Sequence, residues 1–143
     1  MEDRYLYKAK TTPKEKGEFN NVWVTGNLIV SNGKYYIHPV GNVVNVKNEI
    51  GRIIVMHEVI PDTICQCTGL KDKNGKLIWE NDICDRKEEY PEIVKYNNGD
   101  WTLDYSYSKG KESGCCYCNL GFYALERKCI EVIGNIFDSE LLK

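Results

Sequence analysis

Three Asn-Gly pairs, at Asn32-Gly33, Asn74-Gly75 and Asn98-Gly99, constrain this chain more than any other feature of its sequence. A two-residue hairpin turn of the primed type needs positive φ at its central positions, and Asn followed by Gly tolerates that best. Runs rich in β-branched and aromatic residues flank the pairs. Val22-Trp23-Val24 leads through Thr25-Gly26-Asn27 into Leu28-Ile29-Val30, and Tyr35-Tyr36-Ile37-His38-Pro39 returns after the first turn. Pro39 has no amide hydrogen for a ladder, so it ends that strand or lies on a sheet edge. Glu92-Ile93-Val94-Lys95-Tyr96 and Trp101-Thr102-Leu103-Asp104-Tyr105 flank the third pair. The second of these alternates large apolar and polar residues, as a half-buried strand does.

The remaining chain is punctuated at similar intervals. Val43-Val44-Asn45-Val46 and Ile53-Ile54-Val55-Met56 are strand candidates with Gly51 as a turn between them. Asp72-Lys73-Asn74-Gly75-Lys76 is a polar turn ahead of Leu77-Ile78-Trp79, and Cys129 to Ile136 forms a last strand and turn, with Ser139 able to cap a terminal helical turn. Tyr105 to Gly114 reads as a loop rich in Ser, Lys and Gly. Only Tyr123-Ala124-Leu125-Glu126-Arg127 has helical character, and it is too short to be stable alone. The expected class is mainly β. A break at Pro61-Asp62 would divide an N-terminal β subdomain, 1–60, from a C-terminal half, 61–143, unless the two form one compact domain.

Charge narrows the function. The net charge is −2, with bases interleaved among acids in Lys14-Glu15-Lys16 and Arg86-Lys87-Glu88-Glu89, the pattern of a solvated face. General nucleic-acid binding needs clustered cations, so it is disfavoured. No basic stretch leads from Met1-Glu2-Asp3-Arg4 into an apolar region, and no apolar run reaches the length of a spanning helix, so a cytoplasmic protein is expected. Seven cysteines cannot all pair within one chain and are expected as free thiols.

Two segments carry a resemblance. Cys67-Thr68-Gly69-Leu70-Lys71-Asp72-Lys73-Asn74-Gly75-Lys76-Leu77-Ile78-Trp79-Glu80-Asn81-Asp82-Ile83 is similar to the signature of the YopX family of phage and prophage proteins. Glu131-Val132-Ile133-Gly134-Asn135-Ile136-Phe137, with Glu140-Leu141-Leu142, is similar to the family's tail, and Tyr5 to Lys10 with Val22 to Ile29 resembles an N-terminal variant of it. The resemblance implies a small, largely β protein encoded by a phage or prophage, and supplies no biochemical role. A turn followed by hydrophobic-aromatic-Glu-Xaa-Asp-Ile also suits entry into a small SH3-like barrel. There the acid bonds loop amides, while Ile begins a core strand. The C-terminal half is therefore expected to be such a barrel, with the N-terminal β subdomain packed on it. Family members carry Gly where this chain has Asn81, and Asn suits the same positive-φ position. Cys67 replaces a common aromatic; with Cys65 and Cys84 it fits the role of a small buried hydrophobe.

The candidate sites each have a structural competitor. Glu80 and Asp82, at i and i+2 on one strand face with Asp72 ahead of them, could hold a divalent ion weakly, but stabilising turns is the favoured role; Asn74 joins these three and Trp101 among the candidate binding residues. Cys65 and Cys67 with Cys115 and Cys118 offer the best zinc geometry, yet a single residue separates the first pair, and buried or incidental thiols are favoured over metal. The last group, Cys115-Cys116-Tyr117-Cys118, also admits a redox pair or crosslink. His38 and His57, the only bases of their kind, lie in strand-like runs and read as sheet-face residues, not partners of a nucleophilic Cys. No cofactor motif is present, and no catalytic residue is assigned. Trp101, with Tyr96, Tyr105 and Tyr107, is the candidate for stacking single-stranded bases, Lys95 and Lys109 being the phosphate partners. The expectation is a non-enzymatic binding module for a host or phage macromolecule, with homo-oligomerisation open. The alternatives are a single-stranded nucleic-acid binder and a small enzyme or ligand-sequestering protein with a pocket between the halves.

Overall fold

The first Asn-Gly pair makes the turn its chemistry dictates. In a computed structural model of the chain, which describes residues 5–13, 21–39, 47–48, 51–52, 56–86, 91–104 and 117–138, Asn32 and Gly33 adopt φ of 52° and 74°. Ser31 then pairs with Lys34. Asn98 and Gly99, at 51° and 83°, close a second hairpin in which Asn97 pairs with Asp100. The Asn74-Gly75 turn differs. Only Gly75 takes a positive φ there, and the strands meet at Lys71 and Leu77, which leaves a five-residue loop.

The chain divides between Gln66 and Cys67 into two units. The first holds β1 (Tyr7–Lys10), β2 (Trp23–Ser31), β3 (Lys34–Pro39), β4 (Lys47–Asn48), β5 (Gly51–Arg52) and β6 (His57–Glu58). In its antiparallel sheet β6 pairs with β3, β3 with β2, and β2 with β1. Ala9, Ile37 and Val59 form its buried centre, with Val24, Leu28 and Tyr35 packed around them. Pro39 is the final residue of β3, as its missing amide hydrogen requires. Gly51 opens β5 and pairs with Asn48, so it is a strand residue and not the expected turn. His38 and His57 sit on adjoining strands, half-buried. Strand β2 runs unbroken through Gly26, where a Cβ would lie 1.9 Å from the His38 carbonyl oxygen.

Strand β7 (Cys65–Lys71) crosses the division: Cys65 and Gln66 pair with Lys8 and Tyr7, and Cys67 and Lys71 pair with Trp79 and Leu77 of β8 (Leu77–Trp79). The second unit then adds β9 (Asp82–Asp85), β10 (Glu92–Asn97), β11 (Asp100–Asp104), β12 (Tyr117–Asn119) and β13 (Glu131–Asn135). These form an antiparallel sheet in the order β12-β11-β10-β9-β13. The SH3-like barrel expected here takes the form of an open sheet, because no ladder among the described residues joins β12 to β13. Its core gathers Ile78, Cys84, Val94, Leu103, Leu120 and Ile130. Tyr117 to Asn119 pair with Asp104 to Thr102, so the end of the Cys115-Cys116-Tyr117-Cys118 group is a strand. A single π-helical turn, Phe122–Glu126, occupies the stretch read as weakly helical. Residues 43–46, 53–55 and 140–142, with Tyr105, Tyr107, Lys109, Cys115, Cys116 and Ser139, lie outside the described residues.

Gly26→Ala is expected to destabilise the chain by about 3 kcal/mol or more, because the obstacle is backbone and cannot swing aside. Urea denaturation followed by circular dichroism checks this; an unchanged midpoint would show that β2 and β3 can separate cheaply.

Candidate functional site

The polar residues of the signature are committed to the backbone. Asp72 is buried, and its Oδ1 accepts from the amides of Asn74 and Lys76 at 2.9 Å each, which closes the loop around Gly75. Its Oδ2 accepts from the amide of Val132 at 3.0 Å, sixty residues away in β13. The Lys73 amide adds a 2.9 Å bond to the Ile130 carbonyl. Burial alone would raise the Asp72 carboxyl, but the amides of Val132, Lys76 and Asn74 and the Lys76 charge outweigh it and hold the group below its ordinary value. The Lys73–Glu131 ion pair beside it, 3.4 Å and exposed, contributes little.

Asp82 acts in the same way one bend later. Its Oδ2 accepts from the Trp79 amide at 2.8 Å, and Ile83 behind it is fully buried. Between them Asn81 adopts a φ of 69°, the conformation that a family Gly would take without strain. Asn81 is also a junction. Its amide donates to Val94, its carbonyl accepts from Ile136, and its side-chain oxygen accepts from Lys95 Nζ at 2.7 Å. Lys95 is thus engaged within the fold. Glu80 is half-buried, and Asn74 is exposed at the loop tip. Trp101 packs half-buried against the core and meets Tyr96 edge-on at 5.1 Å across the hairpin. The structure therefore brings Asp72, Asn74 and Asp82 into turns and leaves Trp101 apart from them, in the β10–β11 hairpin.

Cys65, Cys67 and Cys84 are buried free thiols, whereas Cys118 and Cys129 are half-buried. Burial, reinforced by the Asp82 charge, pushes the Cys84 thiol far above its ordinary range. Cys65 Sγ donates to the Thr63 carbonyl at 3.3 Å. Among the described residues no three His, Cys, Asp or Glu side chains gather as a metal site; Cys115 lies outside them.

A site that the sequence did not suggest lies in the second unit. Arg86, Phe122, Tyr123, Arg127 and Cys129 line an open groove of about 500 Å³, a size suited to a small ligand or a few side chains. Arg86 was expected on a solvated face, but its side chain is only 11% exposed and its Nε lies 2.5 Å from Glu92 Oε1, itself 2% exposed. Its guanidinium also stacks 4.2 Å from the Tyr123 ring centre and donates to Cys118 Sγ at 3.4 Å. Burial would lower the Arg86 pKa, but the Glu92 hydrogen bond and charge override it, and the side chain stays charged. Arg127 lies 5.5 Å over Phe122, which meets Tyr123 edge-on at 5.1 Å. Phe122 and Leu125, at 43% and 60%, are exposed apolar side chains on this turn. The available sequence signal was an aromatic pair followed by Arg127 in a segment too short for a helix. Its partner Arg86 is 36 to 41 positions away and was not inferable.

Asp72→Ala is expected to cost about 2–3 kcal/mol, since three amides lose their acceptor. The lowered folded-state pKa makes Asp72 stabilising above its unfolded pKa of about 3.9, and that contribution disappears as pH falls through the folded value. Urea midpoints should therefore fall more steeply on acidification for the wild type than for Asp72→Asn. In native buffer, iodoacetamide mapped by mass spectrometry should modify Cys118 and Cys129 ahead of Cys65, Cys67 and Cys84; equal labelling would contradict the burial argument.

The described residues contain no helix long and apolar enough to cross a membrane. No curated protein matches the chain. The family described as YopX protein matches residues 3–143, which span both the Asp72 clip and the Arg86 groove. The chain belongs to the YopX family.

Proposed function

We propose that this YopX protein is a non-enzymatic binding module whose contact surface is the groove between Arg86 and Arg127. The observation that carries the reading is the pairing of each guanidinium with an aromatic ring, Arg86 with Tyr123 and Arg127 with Phe122, at an open recess. Guanidinium and aromatic groups are the side chains in which binding energy concentrates at protein interfaces. Asp72 and Asp82, the acids that could have served chemistry, spend their acceptors on backbone amides, which supports a structural role for the signature. The partner would be a host or phage macromolecule in the cytoplasm. An SH3-like kinship of the second unit belongs to the same proposal, supported by its five short antiparallel strands and the tight Asn98-Gly99 hairpin.

Nucleic-acid stacking at Trp101 is the weaker reading. Trp101 is packed against the core, and Lys95, its expected phosphate partner, is bonded to Asn81. A pull-down from host cells during phage replication should recover a partner with the wild-type chain and lose it with Phe122→Ala or Arg127→Glu. Equal recovery by both variants would place the contact surface elsewhere.

A further inference from the structure

We infer that the groove takes an acidic peptide segment, one carboxylate side chain beside an apolar one; this rests on the groove being the contact surface proposed above. The wall formed by Arg86 is electrically satisfied, because Glu92 Oε1 lies 2.5 Å from its Nε. Its role is to hold Tyr123 in place and close the back of the recess. The rim is different. Arg127 is exposed, and Lys128, held at a φ of 51°, follows it; Glu126 is the single acid between Phe122 and Lys128. A planar guanidinium binds a carboxylate through two parallel N–H donors, and the Phe122 ring 5.5 Å away gives Arg127 a neighbour that restricts its side chain.

The apolar half of the ligand is read from Phe122, which lines the groove and is 43% exposed. Its exposed ring edge suits an aliphatic or aromatic side chain. A peptide is favoured over single-stranded nucleic acid for two reasons. Phe122 and Tyr123 each already carry a guanidinium over one face, which reduces the ring area left for base stacking. The chain's net charge of −2 opposes a polyanion but tolerates a ligand with one or two carboxylates.

The test is selection of a random-peptide display library on the immobilised full-length chain, followed by fluorescence anisotropy with the recovered peptides. The expected result is enrichment of Asp or Glu next to Phe, Trp or Leu. Affinity should fall about ten-fold or more with Arg127→Glu and with Phe122→Ala. Arg127→Lys, which keeps the charge but loses the fork, should fall between them and the wild type. Circular dichroism confirms that each variant is folded. Peptides enriched without acids, or acidic peptides bound equally by all variants, would overturn the assignment. So would a labelled oligothymidylate that binds with this variant sensitivity when acidic peptides do not. If a cellular partner is still captured through Phe122 and Arg127 while acidic peptides fail, the acidic-peptide assignment falls and the binding-module reading stands.

Discussion

The carboxylate of Asp72 is the interaction on which the second unit depends. One oxygen closes the loop that follows β7, and the other receives the Val132 amide from β13. The two segments that identify the family are thereby clipped together, with the Lys73–Ile130 and Asn81–Ile136 backbone bonds and the β9–β13 ladder alongside. A buried carboxylate is costly unless backbone donors surround it, and three such donors make this one favourable in its ionised form. The signature thus has a mechanical role: it holds a turn, a bend and a distant strand in register.

A second buried charge sets up the groove. Glu92 begins β10 almost fully enclosed, and Arg86 folds back from the end of β9 to meet it. Such a pair adds little net stability over an apolar substitute, because desolvation offsets most of the attraction. Its value is positional. Arg86, held by Glu92, presents a flat guanidinium to Tyr123, and Tyr123 in turn meets Phe122 at the surface. Ordering of the short π-helical turn, which local propensity could not stabilise, follows from these tertiary contacts.

The local features of the fold were legible wherever backbone conformation is dictated by residue type. Asn32-Gly33 and Asn98-Gly99 made their hairpins, and Asn81 took the positive φ expected of it. The period-two pattern of β11 placed Trp101 and Leu103 toward the core, although Thr102 on the opposite parity is buried too, bonded to Asn97 and the Lys95 carbonyl. Asn74-Gly75 escaped the hairpin rule because Asp72 supplies a side-chain acceptor that stabilises a longer loop. Gly51 was misplaced as a turn, and β12 was missed, because a strand of two or three residues carries no period to read.

Sequence alone determined the strands that flank Asn32-Gly33 and Asn98-Gly99, the turns between them, and which family the chain resembled, because positive φ and side-chain alternation are properties of neighbouring residues. It could not determine that Asp72 would reach Val132, that Arg86 would leave a charged run to pair with Glu92, or that Phe122 and Arg127 would line a groove with it. Those outcomes join residues far apart in the chain, and they are decided by burial: a charge taken from water must find its partner in space, wherever in the sequence that partner lies.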